Sequence, residues 1–165
     1  MELERVVRVS LALPIHDKNL LLIRREKPPF KGLLALPGGK VEDIDYDYYE
    51  ALKREMMEEL GTKESPSSSG GILYEKIISE GKAEYFAMHI FVLYLEKYED
   101  AKNVERIPIN EFLNKKEDII PSDYRIIENI LRGNRNGVYQ AVTISLNGTN
   151  IVTEWNDITS LEYRV

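Results

Sequence analysis

The chain has 165 residues, a formal net charge of −6 at pH 7 and no cysteine. Its length suits one compact domain, and the lack of cysteine excludes both a disulfide framework and a zinc site built from thiolates. The acidic balance argues against binding to nucleic-acid backbone, although divalent cations can still bridge the protein to a small phosphorylated ligand. We recognise no signal peptide and no membrane-spanning run, so we expect a cytoplasmic protein.

The first part of the chain predicts two β-strands. Apolar residues alternate between Val7 and Leu13, which is the period of a half-buried strand, and a continuous apolar run follows at 20–23. The segment KPPFKG at 27–32 predicts a loop because its two prolines lack amide donors. A short apolar run, LLALP, then leads into a pair of glycines.

The segment 48–60 predicts an amphipathic helix. Asp47 is in position to cap its N-terminus, with Glu50 at the capping-box position, and Gly61 suits its C-terminal end. At 100° per residue, one stripe of this helix is apolar. The stripe consists of Tyr49, Leu52, Met56 and Leu60.

Three carboxylates lie roughly opposite the apolar stripe, and we call Glu55, Glu58 and Glu59 the acidic patch. Like charges at this spacing cost a few tenths of a kcal/mol per pair, so their clustering suits a bound cation. Oxygen ligands without cysteine or histidine favour Mg²⁺ or Mn²⁺. A solvated acidic helix face remains the alternative interpretation of the patch taken alone.

The segment 62–71, TKESPSSSGG, predicts a flexible polar loop, and two long strands follow around a turn at 80–82. A short strand with a helical turn is expected at 105–112. A second helix is predicted to start with Ser122 as its cap and to stop at Gly133.

The tail alternates like paired strands, with Asn147-Gly148 as a strong hairpin turn signal. Many strands with two inserted helices favour an α/β or α+β fold with a mixed sheet.

The glycine pair, the loop after it and the helix together resemble the Nudix box. The segment REMMEELG supplies its second half, with Arg54 and Gly61 at the two ends and the acidic patch between them. The first half departs from the family pattern, because the spacing is one residue too long. Counted forward from the glycines, the usual first Glu falls on Asp45; counted backward from the arginine, it falls on Tyr46.

In the family this first Glu braces the loop against the motif arginine. Here either Asp45 or Asp47 is available for that task. The residue after the box glycine is Thr62, where an aliphatic side chain is usual.

The resemblance implies a Nudix-type α/β/α sandwich with a mixed central sheet and an extra C-terminal β-hairpin. We expect a Nudix hydrolase domain at 1–133 and a β extension at 134–165. The extension either packs on the same domain or forms the edge of a homodimer, because strand edges pair readily.

The resemblance also implies Mg²⁺-dependent hydrolysis, with Mn²⁺ as the alternative ion. The target is the pyrophosphate bond of a small nucleoside diphosphate derivative, with ADP-ribose or a nucleotide sugar favoured. Two alternatives are a nucleoside triphosphate pyrophosphohydrolase and a Nudix-like module that binds a nucleotide without cleaving it.

Carried onto this chain, the family pattern makes Glu55 and Glu59 metal ligands, with Glu58 as a third ligand or as the base. Arg54 would orient a helix carboxylate through an ion pair, and the carbonyl of Gly39 would add a ligand.

Some family members use a carboxylate on a later loop as the base. Glu99 and Glu105 are the candidates here for that base or for a remote metal ligand; a surface position is the alternative for each.

Further residues are expected to contact the substrate. Arg24 or Arg25, at the end of a core strand, would bind a phosphate in a bidentate manner, or would simply lie on the surface. Gly38 and Gly39 would let the ligand approach the backbone closely. Asp123 would read a base or, alternatively, extend the N-cap of its helix.

Overall fold

The computed structural model describes residues 5–99, 103–146 and 150–159. The β-strands are β1 (Val6–His16), β2 (Asn19–Arg24), β3 (Leu34–Ala35), β4 (Gly38–Lys40), β5 (Ser68–Ser79), β6 (Lys82–Tyr94), β7 (Val104–Pro108), β8 (Val138–Leu146) and β9 (Asn150–Asp157). The helices are α1 (Tyr48–Leu60) and α2 (Pro121–Leu131), and a 3₁₀ segment spans Ile109–Asp118. Within these ranges no helix combines the length and apolar character needed to cross a membrane.

The strands form one mixed sheet, in the order β3-β2-β1-β6-β5-β8-β9, with β4 paired to β1 and β7 paired to β2. The pairs β1–β6 and β5–β8 are parallel, whereas the other pairs are antiparallel. A sheet of this kind with two inserted helices confirms the predicted fold class.

The two helices cover opposite faces of the sheet, because neighbouring residues of a strand point to opposite sides. Leu13 of β1 packs in one apolar cluster with Ile126 and Ile127 of α2. Its neighbour Ala12 packs in a second cluster with Leu52 of α1. The apolar stripe predicted for the first helix therefore faces the sheet and leaves the acidic patch on the other side.

The ends of α1 follow the sequence signals. The Asp47 side chain accepts a hydrogen bond from the Glu50 backbone amide, and Gly61 ends the helix in the left-handed conformation with φ 60°. These contacts confirm the predicted cap and the predicted stop.

Two local predictions were wrong. Ser122 does not cap α2: Pro121 is the first helical residue, and Ile120 precedes it without a side-chain hydrogen bond. Proline suits this position because the first helical amides have no partner inside the helix. The polar loop is also shorter than expected, since β5 already starts at Ser68 and pairs there with β6.

The tail extends the sheet. β8 pairs in parallel with β5, and β9 pairs antiparallel with β8; we call these two strands the C-terminal hairpin. The predicted turn at Asn147-Gly148 lies outside the described residues. The domain boundary at residue 133 and the dimer edge stay predictions.

Candidate functional site

Arg54 connects the loop before α1 with the acidic patch. Its Nε and Nη2 atoms donate to the two carboxylate oxygens of Asp45 at 3.1 and 2.8 Å, and Nη2 also donates to the Lys40 carbonyl at 3.2 Å. Its Nη1 atom donates to Oε1 of Glu55 at 3.0 Å. The hydrogen bonds from Arg54 hold the pKa of Asp45 below its usual value. A bidentate bond of this kind fixes both partners in orientation.

These contacts decide between the two ways of counting the motif. Asp45, reached by counting forward from the glycines, braces the loop against Arg54, whereas Asp47 caps the helix. Ile44 and Tyr46 flank Asp45 and are 81% and 92% exposed. The loop therefore accommodates the extra residue by bulging into solvent, while its anchor points keep their partners.

The two glycines of β4 lie directly against carboxylates of the acidic patch. The Gly38 amide donates to Oε2 of Glu59 at 3.1 Å, and its φ of +140° disfavours other residues. A Cβ atom on Gly39 would overlap the carboxylate of Glu55. The glycines thus allow α1 to bring two carboxylates against the strand that starts at Gly38.

The acidic patch holds charge that the protein only partly neutralises. Burial raises the pKa of Glu59 to about 7, and the charge of neighbouring Glu55 adds to this effect. Burial also raises the pKa of Glu55, although its ion pair with Arg54 opposes the shift. Glu58 is 60% exposed, and one of its oxygens lies 3.8 Å from Nη1 of Arg54. Its charge contributes to the upward pKa shift of both neighbours.

The patch has the chemistry of a site for a hard cation. In the described ranges, no three carboxylate or imidazole side chains already stand in an arrangement that could hold a metal ion. The available donors are nevertheless all oxygens, as Mg²⁺ and Mn²⁺ prefer. A cation beside Glu55 and Glu59 would offset both the desolvation and the repulsion that raise their pKa values. The residues present therefore fit such an ion.

The structure places the two later carboxylates apart from each other. The Glu99 amide donates to the Leu60 carbonyl at 2.9 Å, and its carboxylate lies against Gly61 at the end of α1. Glu105 instead accepts two hydrogen bonds from Arg24, at 2.6 and 2.8 Å. Arg24 also donates to Asp118 at 2.6 Å, so its guanidinium group already binds two carboxylates.

A cleft of about 570 Å³ opens beside the glycines. We define it by the residues that line it. They include Leu11, Arg25, Phe30, Leu36, Gly38, Gly39, Glu75, Phe86, Met88, Ile120, Ser122 and Asp123. Another recess, of about 700 Å³, contains Arg54 but none of the glutamates of the acidic patch. Of the residues predicted to contact the substrate, four line the cleft, and Arg24 is the exception.

Asp123 lies at the inner wall of the cleft. One of its oxygens accepts a hydrogen bond from the Leu36 amide at 2.9 Å, and burial raises its pKa to about 7. The charge of Glu75 contributes to this shift. Sequence reasoning missed Glu75, although a signal exists. It occupies an inward position of β5, between the buried residues Leu73 and Ile77, where an apolar side chain is expected.

Comparison with known families supplies the deciding observation. The NUDIX domain family matches residues 5–129, which is most of the chain. This chain belongs to the NUDIX family. The match confirms the resemblance of the glycine pair and the acidic helix to the Nudix box. The C-terminal hairpin lies beyond the matched residues.

Individual relatives agree with this assignment. An ADP-ribose pyrophosphatase of Methanocaldococcus jannaschii is 34% identical over 99 residues, an alignment that spans 57% of each protein. A MutT protein of Bacillus halodurans superimposes with a TM-score of 0.67 at 21% identity, covering 92% of this chain and 98% of that one.

The NUDIX domain of Shewanella oneidensis NrtR, solved with ADP ribose, gives a TM-score of 0.60 at 15% identity. That superposition covers 81% of this chain and 90% of the other. At these identities the structural similarity concerns the fold alone.

Proposed function

We propose that this NUDIX protein hydrolyses the pyrophosphate bond of a nucleoside diphosphate derivative with the help of Mg²⁺ or Mn²⁺. The position of Gly39 is the observation that carries the proposal. This residue lines the cleft and also lies against the carboxylate of Glu55. A ligand in the cleft therefore meets the acidic patch at the glycine pair, where backbone is accessible without intervening side chains.

The roles in this proposal follow from the contacts. Glu55 and Glu59 would hold the cation, because both are partly buried and neither is fully neutralised. When bound, such an ion neutralises charge on phosphate oxygens and lowers the pKa of water. Arg54 keeps Glu55 oriented and remains charged, while the exposed Glu58 is free to accept a proton from attacking water.

The cleft suits the rest of a nucleotide. Its volume lies within the usual range for small-molecule sites, and Phe30 and Phe86 offer aromatic surface for a base. Arg25 also lines the cleft, so its guanidinium group is in position to bind an anionic group of the ligand.

We favour ADP-ribose as the first substrate to test, because one curated relative carries the name of an ADP-ribose pyrophosphatase. A nucleotide sugar such as UDP-glucose and a nucleoside triphosphate such as dGTP complete the panel. Each compound presents a pyrophosphate bond with a different group beyond it.

The experiment compares the wild-type protein with Glu59→Gln on this panel in the presence of Mg²⁺. We expect kcat to fall by about 100-fold or more, as is typical when one electrostatic group is removed from an active site. Glu50→Gln is the matched control. Glu50 lies on the same helix, but its carboxylate is exposed and faces Lys53, so this variant should retain wild-type rates.

Equal rates for wild type and Glu59→Gln would contradict the metal site. Nucleotide binding without turnover of any compound would favour the binding module over the enzyme.

A further inference from the structure

Glu75 is a buried carboxylate in the wall of the cleft. It is 3% exposed, and it lies in the middle of β5, next to Phe86 of β6. Its pKa is raised because burial disfavours the charged form. Burying a carboxyl group costs several kcal/mol unless strong partners compensate it, so its position requires an explanation.

The partners of Glu75 are hydroxyl groups. Thr143 Oγ1 donates to Oε2 at 2.6 Å, and Ser122 Oγ donates to Oε1 at 3.1 Å. Within the described part of the chain, no lysine or arginine contributes to the pKa shift of Glu75. The two hydroxyl groups therefore hold the carboxyl group in place without neutralising it.

The hydrogen-bond chain continues into the C-terminal hairpin. The oxygens of Thr143 on β8 and Thr153 on β9 lie 2.9 Å apart. Since the single hydroxyl proton of Thr143 goes to Glu75, Thr153 is the donor in this second bond. Both strands of the hairpin thus support a residue of the cleft wall, although they lie outside the region that matches the NUDIX family.

Glu75 keeps acceptor capacity after these bonds. Each carboxylate oxygen has two lone pairs, and each receives one hydroxyl group here. The cleft is lined by apolar side chains and also by charged ones, namely Arg25, Lys40, Glu80, Lys82, Glu84 and Asp123. Because Glu75 itself is only 3% exposed, a hydrogen bond to its carboxylate is poorly screened by water. A ligand group that matches Glu75 is therefore a donor, such as an N–H of a base or an O–H of a sugar.

We propose that Glu75 binds a donor group of the nucleotide in the cleft, and that Thr143 is a positioning residue that holds Glu75 for this contact. The proposal rests on the proposed function in one respect, which is that the cleft takes a nucleotide. It assigns the C-terminal hairpin a role in substrate binding in addition to its place in the sheet.

The test uses the full chain and a series of substitutions that alter one group at a time. Thr143→Val removes the hydroxyl group but keeps the shape of the side chain, and Thr143→Ser restores the hydroxyl group. Glu75→Gln keeps the size but removes the charge. Ser145→Ala is the control, because Ser145 is buried on the same face of β8 two residues further on.

Two measurements separate positioning from general stability. Calorimetric titration without divalent metal gives the Kd for ADP-ribose, UDP-glucose and dGTP, and steady-state kinetics with Mg²⁺ give KM and kcat. We expect Glu75→Gln to raise Kd and KM of the preferred compound about tenfold or more, and Thr143→Val to raise them about threefold to tenfold. In both variants kcat should change less than twofold, and Thr143→Ser and Ser145→Ala should match wild type.

Carboxyl-carbon NMR titration of Glu75 supplies a measurement that needs no ligand. Thr143→Val should raise the pKa of Glu75 further, since it removes a donated hydrogen bond, and Thr143→Ser should not. An unchanged pKa in Thr143→Val would overturn the positioning role of Thr143.

Two results would contradict the proposed contact between Glu75 and the nucleotide. An unchanged Kd in Glu75→Gln, or a wild-type protein that binds none of the three compounds, would overturn it. A wild-type protein that binds a compound but cleaves none would instead contradict hydrolysis, while the Kd series would still decide the role of Glu75.

Discussion

Two groups of carboxylates in this molecule are held in opposite ways. In the acidic patch, burial and neighbouring negative charges raise the pKa of both Glu55 and Glu59, and the ion pair with Arg54 opposes this shift at Glu55. In the cleft wall, Glu75 and Asp123, which we call the acid pair, each accept hydrogen bonds from neutral protein donors. The positive charge of Arg54 therefore offsets only part of the negative charge of the patch, whereas the acid pair is held by hydroxyl and amide donors within the protein.

The difference indicates what each group is suited to bind. Unrelieved negative charge at an accessible position favours a cation. Buried acids held by hydroxyl and amide donors favour a neutral donor group of a ligand, since a second charge would have to be desolvated. The acid pair thus lies in the wall of the cleft, whereas the acidic patch adjoins the cleft through Gly38 and Gly39. We expect the two groups to respond differently to substitution and pH.

The largest expected effect concerns the pH dependence of stability at the acid pair. Burial raises the pKa of Asp123 to about 7 in the folded chain, from an ordinary value of 3.8. Because the pKa of Asp123 is higher in the folded than in the unfolded chain, Asp123 contributes favourably to the free energy of unfolding below about pH 4. This contribution is lost as the pH rises through about 7. Linkage puts this loss at about 4 kcal/mol.

Asp123→Asn should remove this loss while keeping an acceptor for the Leu36 amide. Urea unfolding at about pH 4 and about pH 8 measures the free energy of unfolding of both proteins. The variant should gain stability relative to wild type as the pH rises. Asp43→Asn, at an exposed position, should leave the dependence unchanged. If the free energy of unfolding depended on pH in the same way in Asp123→Asn and wild type, the ionisation of Asp123 would not be the source of the pH dependence.

The second prediction tests the contact between the glycines and the patch. Gly39→Ala would push a methyl group into the Glu55 carboxylate, so kcat should fall about 100-fold with little loss of stability. Gly38→Ala is the informative contrast. Its Cβ would overlap the Ser10 backbone at a positive φ, so this variant should lose stability instead. Thermal unfolding together with kinetics separates the two outcomes, and a fully active Gly39→Ala would contradict the proposed geometry.

The third prediction concerns the loop brace. Asp45→Asn weakens the bidentate bond to Arg54, so we expect kcat to fall about tenfold on the preferred substrate. Asp47→Asn should behave like wild type, because asparagine caps a helix as well as aspartate. The reverse order of effects would mean that Asp47 braces the loop in the working enzyme.

The smallest expected effect lies at the outer end of the hydroxyl chain. Thr153→Val removes the donor to Thr143 but leaves the bond from Thr143 to Glu75 intact. We expect Kd for the preferred nucleotide to rise only about twofold. A larger effect on Kd than that of Thr143→Val would contradict the proposed hydrogen-bond chain, in which Thr153 acts on Glu75 only through Thr143.

The sequence was sufficient for the local structure of the acidic patch. The spacing of α1, its cap at Asp47 and its stop at Gly61 all follow from contacts between residues close in the chain. The family pattern then predicted the fold class, because the order of strands and helices is distinctive.

Contacts between distant residues could not be predicted in this way. The bond between Arg24 and Glu105 depends on the pairing of β2 with β7, and the bonds of Glu75 depend on β8 and α2. A hydroxyl side chain has several possible partners, so Ser122 was assigned to a cap when its partner was Glu75.

The bulge around Tyr46 has a consequence for how the Nudix motif tolerates change. Arg54 binds Asp45 on one side of the bulge, and Asp47 caps the start of α1 on the other side. A change in the length of the loop between these two contacts therefore does not move the carboxylates of the acidic patch. Insertions at this point should therefore have little effect on activity, so the length of this loop can vary among related chains while their chemistry stays the same.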